Sequence, residues 1–165
     1  IAKTSSLLLV ENKSHLSSTF STGLPYAEPL TGNELHGGEL GIQGTRSAES
    51  LKLWIGLRQL GEDGIEKILI ESIKKRCYVE SIIDTSKFKI ISGPLHLLSF
   101  TPVNYTSSQA LEWSIKTRNS LLANKFMLSR PIYGNRYYLK AVMGNPNTKL
   151  QDLKLLANLI NISII

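Results

Sequence analysis

The chain has 165 residues, of which 42% are hydrophobic and 19% are charged, and its formal net charge is +6. This composition is typical of a globular protein and excludes a disordered or fibrous chain. The single cysteine, Cys77, excludes a disulfide framework and a cysteine-based zinc site, and we expect it to be a small buried residue on a helix. No apolar run approaches the roughly 18 residues that a membrane-spanning helix needs, so we expect a cytoplasmic protein without a membrane partner.

The positive charge does not by itself indicate nucleic-acid binding. The lysines and arginines are scattered along the sequence, and their one run is Lys74-Lys75-Arg76. Glu71 and Glu80 lie on either side of this run within a predicted helix, which is typical of a solvated helix face. A nucleic-acid interface usually has a concentrated basic stripe, so we expect no nucleic-acid partner.

The first third of the chain combines an apolar run with a long glycine-rich loop. Residues 5–11 predict a short buried strand, and residues 13–20 predict a helical turn. Because the sequence opens at Ile1 and enters the apolar run almost at once, we expect it to be the C-terminal piece of a longer polypeptide. Residues 22–44 hold six of the twelve glycines and two of the six prolines. Long loops of this kind in compact domains are usually functional or disordered.

Two successive helices are predicted after the loop, one over residues 47–60 and one from residue 62 to residue 83. Gly61 favours a helix stop, and the acidic residues that follow it suit the start of the second helix. Apolar residues recur at helical spacing in both segments. Trp54 in the first helix, and Trp113 further along the chain, are expected in the core.

A change of pattern near residue 87 predicts a separate layer of strands and helices. The predicted elements are strands over 88–92 and 97–101, a helix opened by the capping box Thr106–Gln109, strands over 126–129 and 137–143, and a last helix opened by the capping box Thr148–Gln151. This order indicates a mainly antiparallel sheet with helices on one face.

Two blocks of sequence are distinctive. The first is GTRSAESLKLWIGLRQLG, from residue 44 to residue 61, and the second is RYYLKAVMGNPNTKLQDL, from residue 136 to residue 153. Together with the opening SSLLLV, they resemble the C-terminal part of the group II pyridoxal-phosphate-dependent amino-acid decarboxylases, which include glutamate, aspartate, diaminobutyrate and aromatic-amino-acid decarboxylases. The resemblance covers essentially the whole chain. Lys140 departs from it, because the family usually has arginine at this position.

The resemblance implies an α/β fold of the aspartate-aminotransferase type, of which this chain forms the end of the large domain and the small C-terminal α+β domain. Residues 1–46 would complete the large cofactor domain with its catalytic loop, residues 47–84 would be connecting helices, and residues 85–165 would be the small domain. The implied activity is decarboxylation of an L-amino acid by a homodimer that uses pyridoxal 5'-phosphate. The lysine that forms the Schiff base would lie shortly before Ile1, so the chain alone is expected to be inactive.

The resemblance also assigns roles to two loop residues. Tyr26 falls on the catalytic-loop tyrosine, and a phenol on a closing loop can protonate Cα after CO₂ has left while the loop excludes water. Thr45 falls on a residue that contacts the cofactor phosphate of the partner subunit, and a hydroxyl at a helix N-terminus suits a phosphate. The residues alone leave alternatives open, since Tyr26 can be a surface tyrosine beside a proline and Thr45 can be an ordinary N-cap.

The sequence assigns no direct chemical role to the remaining arginine and histidine candidates. Arg46 is expected to brace the loop or the subunit interface, and His36 is expected to be solvated. His15 and His96 have no companion at metal-ligand spacing, so no metal is expected. An alternative function is a non-catalytic α+β interaction module that binds a protein or a nucleic acid, and within the enzyme class the product is open between amine and aldehyde.

Overall fold

The structure is a computed structural model that describes residues 7–20, 41–42 and 47–164. The chain divides into two compact units, Ile1–Gly61 and Glu62–Ile165. The elements in chain order are α1 (Ser14–Phe20), α2 (Glu49–Ile82), β1 (Phe88–Ser92), β2 (Leu97–Pro102), α3 (Ser107–Ala123), β3 (Ile132–Tyr133), β4 (Arg136–Tyr137), β5 (Leu139–Val142) and α4 (Leu150–Asn161). No helix in this described part is long and apolar enough to cross a membrane.

The predicted opening strand is wrong for the residues that the structure describes. Residues 7–11 have no regular secondary structure, and the side chains of Leu7, Leu8 and Leu9 are 75% to 84% exposed. A strand needs a neighbour to satisfy its backbone groups, and no described segment pairs with this one. The predicted helical turn is confirmed by α1.

Gly61 interrupts α2 as the sequence predicts. Its backbone angles, φ 66° and ψ −179°, are not helical, and they lie in a region that is almost exclusive to glycine. The helical segment before Gly61 contains no buried residue. Trp54 is 58% exposed, and the guanidinium of Arg58 lies 5.8 Å from its ring centroid, so the prediction that Trp54 is a core residue is wrong.

Beyond Gly61, α2 contributes only its last turns to the core. Val79 in α2 and Ile83 just after it are almost fully buried. Cys77 is exposed, which corrects the expectation of a buried cysteine. Cys77 faces solvent because residues two positions apart along a helix point in nearly opposite directions, and Val79 points into the core.

The main sheet has three antiparallel strands in the order β1-β2-β5. Phe100 of β2 pairs with Ile90 on one side and with Leu139 on the other. Because side chains alternate between the two faces, Leu98, Phe100, Leu139 and Ala141 share one face, and all four are buried. The predicted mainly antiparallel sheet with helices on one face is confirmed.

Within the described residues, the core is one cluster on that face of the sheet. Trp113 of α3 lies over it, with ring centroids 5.8 Å from Phe88 and 6.2 Å from Phe100. Its indole nitrogen donates a hydrogen bond to the Ser163 hydroxyl at 3.0 Å. The buried members of the cluster are Val79, Ile83, Phe88, Leu98, Phe100, Trp113, Leu121, Leu128, Leu139, Ala141, Met143, Leu153, Leu156, Ala157 and Ile160.

The two predicted capping boxes have different outcomes. Thr106 caps α3, and its backbone N–H donates to the Gln109 side-chain oxygen at 2.8 Å, as the predicted capping box requires. At α4 the cap is Lys149 rather than Thr148, and the Lys149 backbone N–H donates to the Asp152 carboxylate at 2.8 Å. A carboxylate accepts this bond more strongly than the predicted Gln151 amide, which moves the start of the helix by one residue.

The predicted strand over residues 126–129 is also wrong. This segment makes one isolated bridge, between Ser129 and Lys140, and Pro131 follows it closely. The predicted strand over residues 137–143 is divided between β4 and β5. A tight hairpin joins β3 to β4, and its central residues Gly134 and Asn135 both have positive φ, as a two-residue hairpin turn requires.

Candidate functional site

Both residues to which the sequence assigns chemistry lie outside the described residues. Tyr26 and Thr45 belong to the ranges 21–40 and 43–46, as do His36 and Arg46. The structure therefore leaves their roles as predictions.

The helix that follows Thr45 begins with a negative charge. Glu49 lies in the first turn of α2, and its carboxylate is 2.9 Å from the Lys52 ammonium. A carboxylate at this position compensates the helix dipole. An anion bound just before α2 would therefore depend on direct hydrogen bonds more than on the dipole.

The two described histidines form no metal site. His15 is exposed on α1, and its carbonyl accepts bonds from Ser18 and Thr19. His96 is half-buried beside Gly144. In the described ranges no group of three or more histidine, cysteine or acidic residues is placed to hold a metal.

A cavity of about 580 Å³ lies between α2 and the segment that leads into α4. Lys75 closes one side of it, because its ammonium donates to the carbonyls of Asn145 at 2.7 Å and Pro146 at 3.3 Å. Glu71 and Lys74 form an ion pair of 2.8 Å at the rim, and this bond lowers the pKa of Glu71. The lining residues are Lys67, Ile68, Glu71, Ser72, Lys74, Lys75, Tyr78, Pro146, Thr148, Leu150 and Leu153.

A second polar cluster joins α2 to the β1–β2 hairpin. Glu80 accepts bonds from the Ser92 hydroxyl and from Arg76, both at 2.7 Å, and these bonds lower its pKa. Arg76 also donates to the Leu95 carbonyl at 3.1 Å. The predicted solvated helix face around the Lys74-Lys75-Arg76 run is therefore partly engaged in tertiary contacts.

Three further arginines brace the layer, and the sequence did not single them out. Arg136 donates to the buried Thr101 hydroxyl at 3.2 Å and to the Pro102 carbonyl. Arg118 and Arg130 form similar bonds between α3 and residues 128–130. Their roles depend on tertiary neighbours, so no local pattern could have identified them.

The net positive charge lies in the second half of the chain. Residues 85–165 contain ten lysines and arginines against two acidic residues, a formal charge of +8. Residues 1–84 contain nine against eleven, a formal charge of −2. Counting the two segments separately would have detected this bias from the sequence.

The outer face of the main sheet is open among the described residues. Leu97 pairs with Val142 in the register of β2 and β5, and their side chains are 42% and 56% exposed. Lys140 lies on the same face, because it is separated from Val142 by one buried residue. Exposed apolar residues of this kind in a sheet often mark a surface that another part of a protein covers.

Solved structures share the fold of this chain. Oryza sativa TDC, crystallised with PLP and tryptamine, matches 89% of this chain and 32% of its own length, with a TM-score of 0.73 and 16% identity. Mouse CSAD matches 90% of this chain and 34% of its own length, with a TM-score of 0.69 and 17% identity. The chain therefore has the fold of the C-terminal part of the group II pyridoxal-phosphate-dependent decarboxylases, which confirms the predicted fold class.

A curated relative, like several of the similar solved structures, is named a decarboxylase. It is the L-2,4-diaminobutyrate decarboxylase of Rhizobium meliloti (strain 1021), which is 24% identical over 115 residues, or 67% of this chain and 23% of the relative. No protein-family model matches the chain. The chain thus spans about a quarter of the length of this relative and about a third of the two solved structures.

Proposed function

We propose that the protein is a pyridoxal-phosphate-dependent decarboxylase that converts an L-amino acid to an amine and CO₂. The observation that carries this proposal is the structural match to Oryza sativa TDC over 89% of the chain. The curated relative, itself named a decarboxylase, supports the same class of reaction. This chain would supply the C-terminal part of the enzyme, with the domain boundaries that the sequence predicts after residues 46 and 84.

Pyridoxal phosphate is the proposed cofactor, and the described residues do not by themselves assemble a site for it. The acid of the cavity beside α2, Glu71, is already paired with Lys74 and half exposed, so it is poorly suited to hold a ring nitrogen. The proposed contact from this chain is Thr45, whose hydroxyl would donate to the phosphate in the partner subunit. A homodimer is therefore part of the proposal, as is a cytoplasmic location.

Tyr26 is the proposed acid of the reaction. When bound, pyridoxal phosphate supplies the electron sink for the negative charge left at Cα as CO₂ departs. The Tyr26 hydroxyl would hold the proton that is delivered to Cα, on a loop that keeps water away from this atom. A tyrosine that completes protonation favours release of the amine over an aldehyde.

The test measures CO₂, amine and aldehyde from the full-length protein with added cofactor and a panel of L-amino acids. Tyr26→Phe should suppress amine release by at least about tenfold and increase the aldehyde fraction, because one acid–base group contributes roughly 100-fold or more. Tyr133→Phe is the matched control, since Tyr133 is 72% exposed in the β3–β4 hairpin and should leave both products unchanged.

The possible results separate the two parts of the proposal. If the full-length protein releases no CO₂ from any amino acid, the proposed activity is wrong. If Tyr26→Phe releases amine at the parent rate, the activity stands and the role of Tyr26 is wrong. The 165-residue chain alone should release no CO₂, because the resemblance assigns the lysine that binds the cofactor to another part of the protein.

A further inference from the structure

Two arginines of α3 and its neighbouring segment are held at fixed positions. The Arg118 Nε donates to the Leu128 carbonyl at 3.0 Å, and the Arg130 Nε donates to the buried Ser114 hydroxyl at 3.0 Å. Ser114 and Arg118 are four residues apart on α3, which corresponds to a rise of about 6 Å. Both guanidinium groups are therefore anchored along the same seam, between α3 and residues 128–130.

Neither guanidinium has an acidic partner in the described part of the chain. The ion pairs found there involve Lys52, Lys74, Arg76 and Lys116. Arg118 and Arg130 are half-buried, so they are less well solvated than exposed lysines. Among the residues that the structure describes, each arginine is bonded only through its Nε, which leaves the outer nitrogens for a planar, two-pronged contact with a carboxylate or a phosphate.

An apolar patch adjoins the second arginine. The Arg130 guanidinium lies 5.1 Å from the ring centroid of Tyr137, which stacks beneath the charge. Tyr137 pairs with Ile132 in the β3–β4 hairpin, so both side chains lie on the same face of that hairpin. Ile132 is 58% exposed. The surface thus combines arginine, tyrosine and an exposed aliphatic side chain, which is the composition of protein–protein contacts.

We propose that Arg118, Arg130, Tyr137 and Ile132, the arginine surface, bind an acidic polypeptide segment. One carboxylate of the segment would contact each guanidinium group, and an apolar residue next to the carboxylate on Arg130 would pack on Ile132 and Tyr137. The charge of +8 on residues 85–165 favours an acidic partner and would speed its association. A polypeptide is favoured over a nucleic acid because the Arg130 guanidinium already lies over the Tyr137 ring and Ile132 offers no aromatic face on which a base can stack.

The experiment measures fluorescence anisotropy of the full-length protein with a labelled Glu-Leu-Glu-Leu-Glu peptide at low salt. The Gln-Leu-Gln-Leu-Gln peptide and a single-stranded oligothymidine serve as competing probes. The acidic peptide should bind, and Arg118→Gln and Arg130→Gln should each raise its Kd about tenfold, or about 1.4 kcal/mol. Lys116→Gln is the matched control, since it removes an 81% exposed charge from the same helix and should change the Kd less than about twofold.

Two further variants separate binding from folding. Ile132→Ser leaves both arginines in place and should raise the Kd of the acidic peptide about threefold to fivefold, because the peptide loses its apolar contact with Ile132. Arg130→Lys keeps the charge and should restore only part of the affinity, because lysine lacks the planar fork. Circular dichroism checks that each variant is folded.

Three results would overturn the proposal. The first is that the acidic peptide does not bind. The second is that Lys116→Gln raises the Kd of the peptide as much as Arg130→Gln does, which would indicate a non-specific effect of net charge. Stronger binding of the oligothymidine than of the peptide, lost in the same arginine variants, would assign the surface to nucleic acid.

Discussion

The two tryptophans give the sharpest test of the fold, because sequence patterns assigned both to the core and the structure separates them. Trp113 is 4% exposed, its ring contacts Phe88 and Phe100, and its nitrogen is bonded to Ser163. Removing a fully packed tryptophan side chain leaves a cavity that costs about 3–5 kcal/mol. Trp113→Phe keeps an aromatic ring but loses the hydrogen bond and some volume, which together cost about 1–3 kcal/mol.

Urea unfolding of the 165-residue chain, followed by circular dichroism, measures these free energies. Ser163→Ala isolates the hydrogen bond and should cost about 1–2 kcal/mol, since the buried indole N–H is left without its partner. Trp54→Ala is the matched control, because an exposed tryptophan should contribute no more than about 0.5 kcal/mol. If Trp54→Ala and Trp113→Ala were equally destabilising, the division of the two residues between surface and core would be refuted.

Three other predictions concern α2. The bond from Ser92 lowers the pKa of Glu80 below its ordinary value of 4.5, so its stabilisation is complete above that pH and is lost as the pH falls through the lowered pKa. Ser92→Ala should therefore reduce stability at neutral pH, with a difference from the parent that narrows below pH 4.5; a difference in unfolding free energy that is constant down to pH 2 would contradict this. Gly61→Ala should lower the free energy of unfolding by about 1–3 kcal/mol or raise the helix content. A Cβ added at this position would meet no atom within 4 Å, so the strain would come from the positive φ of the backbone. Unchanged thermal unfolding and circular dichroism would refute this prediction. Cys77 should react fully with a thiol reagent in the native chain, and protection until unfolding would show that it is buried.

Elements with local signals were predictable from the sequence. The capping box at Thr106, the helix stop at Gly61 and the two strands on either side of Gly93 depend on residues close together in the chain, and the structure has all three. The last helix was also predicted, although the structure starts it one residue later because Asp152 competes for the cap. After residue 47, signals from neighbouring residues in the sequence were therefore enough to predict where most of the helices and strands begin or end.

Properties that depend on distant neighbours were not predictable. The run from Leu7 to Leu9 has the composition of a buried strand, yet burial needs a partner strand that an apolar pattern does not identify. The prediction that Trp54 lies in the core was wrong because helical spacing does not identify an element that would cover the residue. Arg118 and Arg130 gave no signal, because their partners lie ten and sixteen residues away on another element. For Tyr26 and Thr45, family resemblance supplied the roles, and those roles stay predictions.

The composition of the core determines when this layer can fold during synthesis. Leu153, Leu156 and Ile160 of α4 pack in the same cluster as Phe88, more than sixty residues earlier in the chain. Such long-range closure is slow, and the part of the sheet's apolar face that α3 does not cover stays exposed until α4 has been synthesised. A chaperone that shields nascent apolar surface would act in this interval, and a frameshift or nonsense mutation ahead of residue 150 would yield an aggregating chain rather than a slightly weakened one.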